Sequence, residues 1–388
     1  MKSFKIFAER PMEISHKYDL GLIISLILLW GIGFLTLYTC SANRGLRIEG
    51  DALFYTKNQL IVAGLGFACC FVLSIIRLAD IKKILKVLVF GTLILCGLTF
   101  IPALSTSEET YRWFRIPGIN IGFQPSELVK FTVILFLANW FDKYMKVDEE
   151  ERPSMVKPFC VLGLFVSIVM IQEDFSTALF IFCVGILMFY VAGVKLGKMI
   201  PFIILAAFAM LLFVLCSEFR VQRLIAFLNP NYDTLGSNYQ TSAARDAISA
   251  GGFFGDGFGV GLDKINRVPE IHTDYIFSGW VEAMGLLGVI AYFLILGFFS
   301  WRGFVVSLRC SNRFGCLTGF GITISILIQS LLNTGVVCGA LPSTGIPLPF
   351  FSYGRSSLFI FLCMCGLLIN ISRYNENEEN TDENIVDF

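Results

Sequence analysis

Several ionisable residues in this chain stand beside long apolar segments, and their types could support acid–base chemistry. Glu270, His272 and Asp274 precede one apolar stretch, while Glu127 and Lys130 are three residues apart at the start of another. Isolated carboxylates can act as general bases or as ligands of a divalent cation. An ionisable side chain near membrane depth costs several kcal/mol unless it is paired or hydrated, so each residue is a candidate functional group.

Cations and a further acid lie near the same apolar segments. Arg112 and Arg115 precede the segment that begins near Glu127, and Asp174 ends the short polar connection Gln172–Asp174 between two apolar runs. Guanidinium and ammonium groups suit a phosphate-bearing ligand, and the apolar segments suit a lipid tail. The residues therefore predict a site for a phosphate-bearing lipid. A proton- or ion-coupled transporter would use similar residues, so this pattern leaves both functions open.

Each of these residues also has a purely structural interpretation. Glu127 and Lys130 lie on one helical face and could form an ion pair. Asp174 could be the N-cap of the helix that follows it, as could Asp274. Histidine in such a position serves more often as a hydrogen-bonding spacer than as a catalyst, which is the alternative for His272.

The composition places these residues in a membrane protein. Of 388 residues, 55% are hydrophobic and 15% are charged, whereas soluble domains carry about 25% charged residues. The mean hydropathy is +0.72. The formal net charge is zero, so bulk charge gives no indication of nucleic acid binding. The twelve cysteines lie mostly in apolar runs without a CxxC pair, which favours small buried hydrophobic side chains over metal or disulfide roles.

Hydropathy predicts an all-α integral membrane protein with ten transmembrane helices, because a span needs about 20 mostly apolar residues. We divide the chain into an N-terminal segment (1–19), a transmembrane domain (20–372) and an acidic C-terminal tail (373–388) that we expect to be disordered. The predicted spans cover residues 20–40, 58–76, 84–104, 124–141, 156–171, 175–193, 199–217, 275–300, 314–337 and 350–372.

The distribution of Lys and Arg predicts the orientation of these spans. Eighteen such residues flank one side and ten the other, and half of the ten lie in one long loop. The positive-inside rule then places both termini in the cytoplasm. The first apolar run has no small-residue cleavage site after it, so we expect it to remain as an anchor.

A large extracytoplasmic loop, residues 218–274, separates the seventh and eighth predicted spans. Loops of this length are usually functional or disordered. It contains a glycine-dense run at 251–261. This run lacks the preceding strand and the GK[ST] ending of a phosphate-binding nucleotide loop. We therefore expect its glycines to let the backbone pack closely on the helix bundle or on a bound headgroup.

Three long motifs, in this order, resemble the SEDS family (shape, elongation, division and sporulation proteins, including RodA and FtsW). They are Trp113–Lys130, Pro269–Phe277, and Asn333–Gly335 together with Gly339–Ser357. The resemblance extends over about residues 15–372. It implies ten transmembrane helices and a peptidoglycan glycosyltransferase that polymerises lipid II on the outer face of the bacterial cytoplasmic membrane.

The resemblance also implies roles for individual residues. Asp274 matches the essential acid of the large outer loop, and Glu127 and Lys130 match the paired residues of the fourth helix. Arg112 and Asp174 match the basic and acidic residues of neighbouring outer motifs. The other supporting candidates are Glu270, His272, Ser352, Ser356 and Arg355. Arg355 stands where the family usually has a second glycine, and it could bind phosphate or pair with an acid.

The mechanism implied by the resemblance is an inverting glycosyl transfer. A sugar 4-hydroxyl of one lipid II attacks the anomeric carbon of a second chain, with Asp274 as the general base. Such a base typically contributes about 100- to 10,000-fold. The diphosphate leaving group needs cations, for which Arg112, Lys130 and Arg355 are candidates, together with a divalent cation such as Mg²⁺.

Other functions stay open at this point. The alternatives are a lipid II flippase, an elongation polymerase of the RodA type, and a scaffold of the division machinery. The motifs around Asn333 and Pro347 are more similar to the FtsW branch, which favours a role in cell division. The family implies a class B penicillin-binding protein as transpeptidase partner, along with other division proteins.

Overall fold

The computed structural model describes residues 18–101, 111–115, 122–144, 154–229, 239–259 and 268–374. Nearly all of the predicted N-terminal segment and of the acidic tail lies outside the described residues. Two short strands, β1 (Phe114–Arg115) and β2 (Gly122–Phe123), pair in antiparallel register. The remaining regular structure within these ranges is helical.

Within the described ranges the ten predicted spans each correspond to a helix, and two further helices lie in the long loop. The helices are α1 (Leu20–Ile48), α2 (Phe54–Ile75), α3 (Leu78–Leu98), α4 (Pro125–Tyr144), α5 (Val156–Ile171), α6 (Phe175–Val191), α7 (Leu196–Leu215), α8 (Glu218–Leu228), α9 (Tyr239–Gly251), α10 (Ile276–Arg309), α11 (Arg313–Val337) and α12 (Arg355–Ile371).

Six of the described helices are long and apolar enough to cross a membrane, namely α1, α2, α7, α10, α11 and α12 with its short extension to Tyr374. Two more, α5 and α6, are apolar but shorter. In lipid every backbone polar group has to be satisfied within the protein, which favours helices for such segments. The chain is therefore a multi-pass helical membrane protein, while the number of ten crossings stays a prediction.

The helices differ strongly in how much apolar surface they turn outward. In α7 only 11% of the apolar 18-residue stretch is buried inside the protein, whereas the value is 67% for α11 and 89% for α12. Large apolar side chains on the peripheral helices are exposed, such as Val87 at 70% and Leu205 at 66%. Because the bilayer acts as solvent for such side chains, α11 and α12 form the interior and helices such as α2, α3 and α7 face lipid.

Glycines allow the central helices to approach closely. A Cβ added at Gly366 of α12 would lie 2.4 Å from the carbonyl oxygen of Cys70 on α2. Likewise, a Cβ at Gly66 of α2 would lie 2.5 Å from the side chain of Leu362. Small residues at such positions let helix backbones come together where lipid provides no hydrophobic driving force for association.

Residues 251–257 of the glycine-dense run pack into a break in α10. At Gly285 the backbone leaves the helical region, with φ 61° and ψ −159°. The amide of Asp256 donates to the carbonyl of Glu282 at 2.9 Å, and the amide of Leu286 donates to the carbonyl of Gly252 at 3.0 Å. The expectation that these glycines let the loop pack closely on the bundle is therefore confirmed.

Candidate functional site

The candidate residues gather at one end of the bundle, where α4, α6, α10 and α12 begin and α11 ends; we refer to it as the Asp274 end. Inside it, Lys130 Nζ lies 2.7 Å from Glu127 Oε2, and each side chain is 2% exposed. Lys130 Nζ also donates to Gln329 Oε1 at 3.0 Å. The predicted ion pair is thus present and excluded from solvent.

Asp174 is the N-cap of α6, as its structural interpretation predicted. Its carboxylate accepts a hydrogen bond from the amide of Thr177. The same carboxylate accepts from Gln124 Nε2 at 3.0 Å and from Ser126 Oγ at 3.1 Å. Because Gln124 and Ser126 stand at the start of α4, Asp174 fixes the first turns of α4 and α6 to each other.

Asp274 lies half-buried in the turn before α10. The N-cap of that helix is Tyr275, without a side-chain capping bond, so the alternative that Asp274 caps the helix is wrong. Burial raises the pKa of the Asp274 carboxyl to about 6, and the charge of Glu270 adds to this effect. The guanidinium groups of Arg223 and Arg112 act in the opposite direction. The carboxyl is therefore subject to repulsion from two acids, Glu270 and Asp174, and to attraction from two cations.

Glu270 and His272 lie close to each other in the turn that precedes Asp274. Glu270 pairs with Arg44 at 2.7 Å, and His272 Nε2 lies 3.8 Å from the Glu270 carboxylate. The imidazole packs against Tyr55 with ring centroids 4.7 Å apart. Burial lowers the pKa of His272 to about 4. The ring is therefore neutral at neutral pH, which fits a packing and spacing role better than proton transfer.

Ser352 and Ser356 connect chain segments. Ser352 Oγ donates to the carbonyl of Thr273 and accepts from the amide of Leu348 at 2.7 Å. Ser356 Oγ accepts from the amide of Gln124 at 2.9 Å. Both serines are buried, with 3% and 4% exposure. They hold the Asp274 turn and the start of α4 against α12.

Further cations at this end, besides Lys130 and Arg44, come from three chain segments. Arg112 donates to the carbonyl of Glu173, and Arg220 Nη2 lies 3.8 Å from the carboxylate of the same residue. Arg223 Nη1 donates to the carbonyl of Ser343 at 3.5 Å. Arg355 is half-buried at the first position of α12.

Sequence reasoning assigned no role to Arg223 and did not single out Gln329. Arg220 and Arg223 are three residues apart on α8, a spacing that puts both on one helical face. Gln329 stands inside the apolar α11, four residues before Asn333. The position of Gln329 and Asn333 inside an otherwise apolar span was the sequence signal that could have identified them.

Among the described residues, no group of three or more His, Cys, Asp or Glu side chains could hold a metal ion. Mg²⁺ is typically bound by one or two carboxylates together with substrate phosphates and water. The described residues therefore fit a divalent cation only where the phosphate groups of a ligand supply most of its oxygen ligands.

Comparison with known proteins gives consistent results. A probable peptidoglycan glycosyltransferase FtsW from Geobacter sp. (strain M18) is 33% identical over 356 residues, covering 92% of this chain and 96% of the relative. Stage V sporulation protein E of Bacillus subtilis (strain 168) is 32% identical over 358 residues, covering 92% and 97%.

Solved structures share the fold. One chain, from work described as structural coordination of polymerization and crosslinking by a peptidoglycan synthase complex, has a TM-score of 0.73 and 24% identity. The match covers 93% of this chain and all of that one. The rod shape determining protein RodA of Thermus thermophilus has a TM-score of 0.67 and 23% identity, with 94% and 99% coverage. The family model for FtsW, RodA and SpoVE, described as cell cycle protein, matches residues 20–377. The SEDS resemblance is thus confirmed, and the chain belongs to the FtsW/RodA/SpoVE family of cell cycle proteins.

Proposed function

We propose that the chain is a peptidoglycan glycosyltransferase that polymerises lipid II, with Asp274 as the general base. The observation that carries the proposal is the half-buried carboxyl of Asp274 at the end of an apolar bundle, within electrostatic range of Arg112 and Arg223. This combination provides a base, cations for a phosphate group and surroundings for a lipid tail. The relatives named as probable peptidoglycan glycosyltransferases support the same reaction.

The proposed step is one inverting displacement at the anomeric carbon. The 4-hydroxyl oxygen of the acceptor sugar forms a bond to that carbon, and the bond to the diphosphate oxygen breaks. The hydroxyl proton passes to the Asp274 carboxylate, and the polyprenyl diphosphate leaves with the electron pair. A carboxyl with a pKa of about 6 is mostly ionised at neutral pH and is a stronger base than an ordinary aspartate.

The leaving diphosphate needs positive charge, and we assign this role to Arg112 and Arg223. Lys130 is 2% exposed and paired with Glu127, so we place that pair in a supporting role instead of direct phosphate binding. Arg355 stays a candidate phosphate ligand. A divalent cation such as Mg²⁺ would be held by the diphosphate oxygens of the substrate and would neutralise their developing charge.

A lipid II flippase is the alternative function. A flippase has to receive the charged headgroup at both ends of the bundle. Arg112, Asp174, Arg223 and Asp274 gather at the Asp274 end with the buried Glu127–Lys130 pair. At the opposite end the described acids Asp142 and Asp19 are each paired with a cation, Lys82 and Arg302. This arrangement favours polymerisation at one membrane face.

The setting of the proposed reaction follows from the Lys and Arg distribution. The positive-inside rule supports both termini in the cytoplasm and the Asp274 end on the extracytoplasmic face of the bacterial cytoplasmic membrane. We propose a class B penicillin-binding protein as partner. Support comes from the fold shared with a chain of a complex described as coordinating polymerization and crosslinking. The relatives named FtsW favour cell division over elongation or sporulation.

The experiment is polymerisation of lipid II by the purified protein in liposomes, with and without a class B penicillin-binding protein. We expect glycan strands from the wild type and a loss of about 100-fold or more in Asp274→Asn. Asp51→Asn is the matched control, because Asp51 is an exposed acid paired with Lys57. Transfer of lipid II between leaflets without polymer would overturn the proposal in favour of transport.

A further inference from the structure

Two buried amides on α11 connect the separate parts of the proposed site. Gln329 is 0% exposed and Asn333 is 1% exposed. Residues four apart lie on the same face of a helix, so both amides point toward the same neighbouring segments. Those segments are the start of α4, the turn that contains Asp274 and the irregular chain before α12.

Gln329 uses both ends of its amide. Its Oε1 accepts a hydrogen bond from Lys130 Nζ at 3.0 Å, and its Nε2 donates to the carbonyl of Pro347 at 2.9 Å. Lys130 in turn lies 2.7 Å from Glu127. Gln329 therefore joins the buried ion pair of α4 to the segment around Pro347.

Asn333 uses its amide nitrogen twice. Nδ2 donates to the carbonyl of Asp274 and to the carbonyl of Ile346, both at 2.8 Å. Its Oδ1 is buried without a hydrogen-bond partner among the described residues. The side chain is therefore oriented by two carbonyl acceptors, one of which belongs to the proposed base itself.

The segment held by these amides lies directly against the Asp274 carboxyl. Gly345 precedes Ile346 and has a positive φ of 67°. A Cβ added at Gly345 would lie 3.5 Å from Asp274 Oδ2. One helix face thus fixes the backbone of Asp274, the chain beside its carboxylate and the ammonium group of Lys130.

We infer that Gln329 and Asn333 are positioning residues of the polymerisation reaction, which set where the Asp274 carboxyl stands relative to the Lys130–Glu127 pair. This inference rests on the proposed function. Misplacing a reacting group by about 1 Å can cost about 100-fold in rate. Side chains that lock a catalytic group in this way act without touching the substrate.

The test replaces each amide by an apolar side chain of similar size, in Asn333→Leu and Gln329→Met. The control is Ser325→Ala, because Ser325 lies on the same helix, is 0% exposed and has a hydroxyl without a partner among the described residues. Lipid II polymerisation is measured for kcat, KM and pH dependence. Each protein is first checked for folding by thermal unfolding in detergent.

We expect kcat to fall by about 10- to 100-fold in both amide variants while KM changes little. In Asn333→Leu the acid limb of the pH profile should also move below pH 6, because a released turn lets water reach the Asp274 carboxyl. That variant leaves unchanged the charged groups that act on the pKa of this carboxyl, namely Glu270, Asp174, Arg112 and Arg223. A change in folding alone would lower the amount of active protein without moving the profile.

The inference is overturned if folded Asn333→Leu and Gln329→Met keep the kcat and pH profile of the wild type. It is equally overturned if activity falls only in proportion to folded protein. If Asn333→Leu does not fold, Asn333→Ser takes its place with the same expected shift. The proposed function is judged separately, by polymerisation in the wild type and its loss in Asp274→Asn.

Discussion

Arg44 holds the carboxylate of Glu270 at 2.7 Å, in the turn that reaches Asp274 four residues later. Glu270 has a left-handed backbone with φ 52°, a conformation that costs about 1 kcal/mol or more for a residue other than glycine. Its negative charge raises the pKa of Asp274. Glu270 therefore adjusts the pKa of the proposed base, and the ion pair with Arg44 holds the Glu270 carboxylate in place.

Replacing Glu270 by Gln should move the acid limb of polymerisation to lower pH. The carboxylate of Glu270 raises the pKa of Asp274, so its removal lowers that pKa from about 6 toward the ordinary aspartate value of 3.8. Gln can still accept a hydrogen bond from Arg44. The measurement is the pH dependence of polymerisation between pH 4 and 8. Asp51→Asn is the control, and an unmoved acid limb in Glu270→Gln would contradict the prediction.

Replacing Asp274 by Asn should stabilise the protein at neutral pH. Between pH 3.8 and about 6 the folded protein binds more protons at Asp274 than the unfolded chain does. Stability therefore falls as the pH rises through this window and stays low above it. Asn removes this cost, for a gain of about 1–2 kcal/mol at pH 7.5 after discounting for partial exposure. Melting temperatures at pH 4 and 7.5 test this, since the gain should nearly vanish at pH 4.

Breaking the Glu127–Lys130 pair from one side should destabilise the protein by about 3–5 kcal/mol, because the remaining charge is buried. We expect this for Lys130→Met, measured by thermal unfolding. Glu127→Met combined with Lys130→Met should recover much of the stability, because no buried charge remains. An additive loss in the double variant would show that the two residues do not act as a pair.

The double variant Glu127→Lys with Lys130→Glu, which swaps the two charges, should have lower polymerisation activity than the wild type. The Gln329 oxygen that accepts from Lys130 would then face a carboxylate, and its amide nitrogen is already bonded to Pro347. Polymerisation by the folded swap variant is the measurement. Activity at the wild-type level would mean that Glu127 and Lys130 form a purely structural ion pair.

Gly255→Ala should disrupt the contact between the loop and α10. A Cβ there would lie 2.2 Å from the carbonyl oxygen of Ala283, and Gly255 has a φ of 81°. The matched control is Gly163→Ala in α5, where nothing lies within 4 Å of the added Cβ. Ala in a helix interior is favoured over Gly by about 1 kcal/mol. Thermal unfolding should therefore show a loss for Gly255→Ala and no loss for Gly163→Ala.

The sequence allowed the helical segments to be located, since apolar runs of this length have few alternatives. Their ends were less accurate. The predicted first span ends at residue 40, whereas α1 continues to Ile48, because hydropathy does not register a polar helix end such as Arg44–Arg47. The predicted start at residue 350 was wrong, since α12 begins at Arg355. Phe350 has a positive φ of 67°, which a right-handed helix excludes.

Within the site, the residue types were predictable but most of the relationships were not. The Glu127–Lys130 pair and the cap at Asp174 follow from local spacing, and both were anticipated. The electrostatic effect of Arg223 on Asp274 and the two hydrogen bonds of Asn333 involve residues far apart in the chain. No periodicity reports such contacts, because they depend on how α8 and α11 pack.

The interruption of α10 also limits how the protein can be assembled. The amides of Leu286 and Leu287 have lost their helical acceptors and donate to the carbonyls of Gly252 and Phe253. An amide left unsatisfied in hydrocarbon costs several kcal/mol. The backbone around the break is therefore fully hydrogen-bonded only while residues 251–257 are docked, so the interrupted α10 and the docked loop segment form a single cooperative unit.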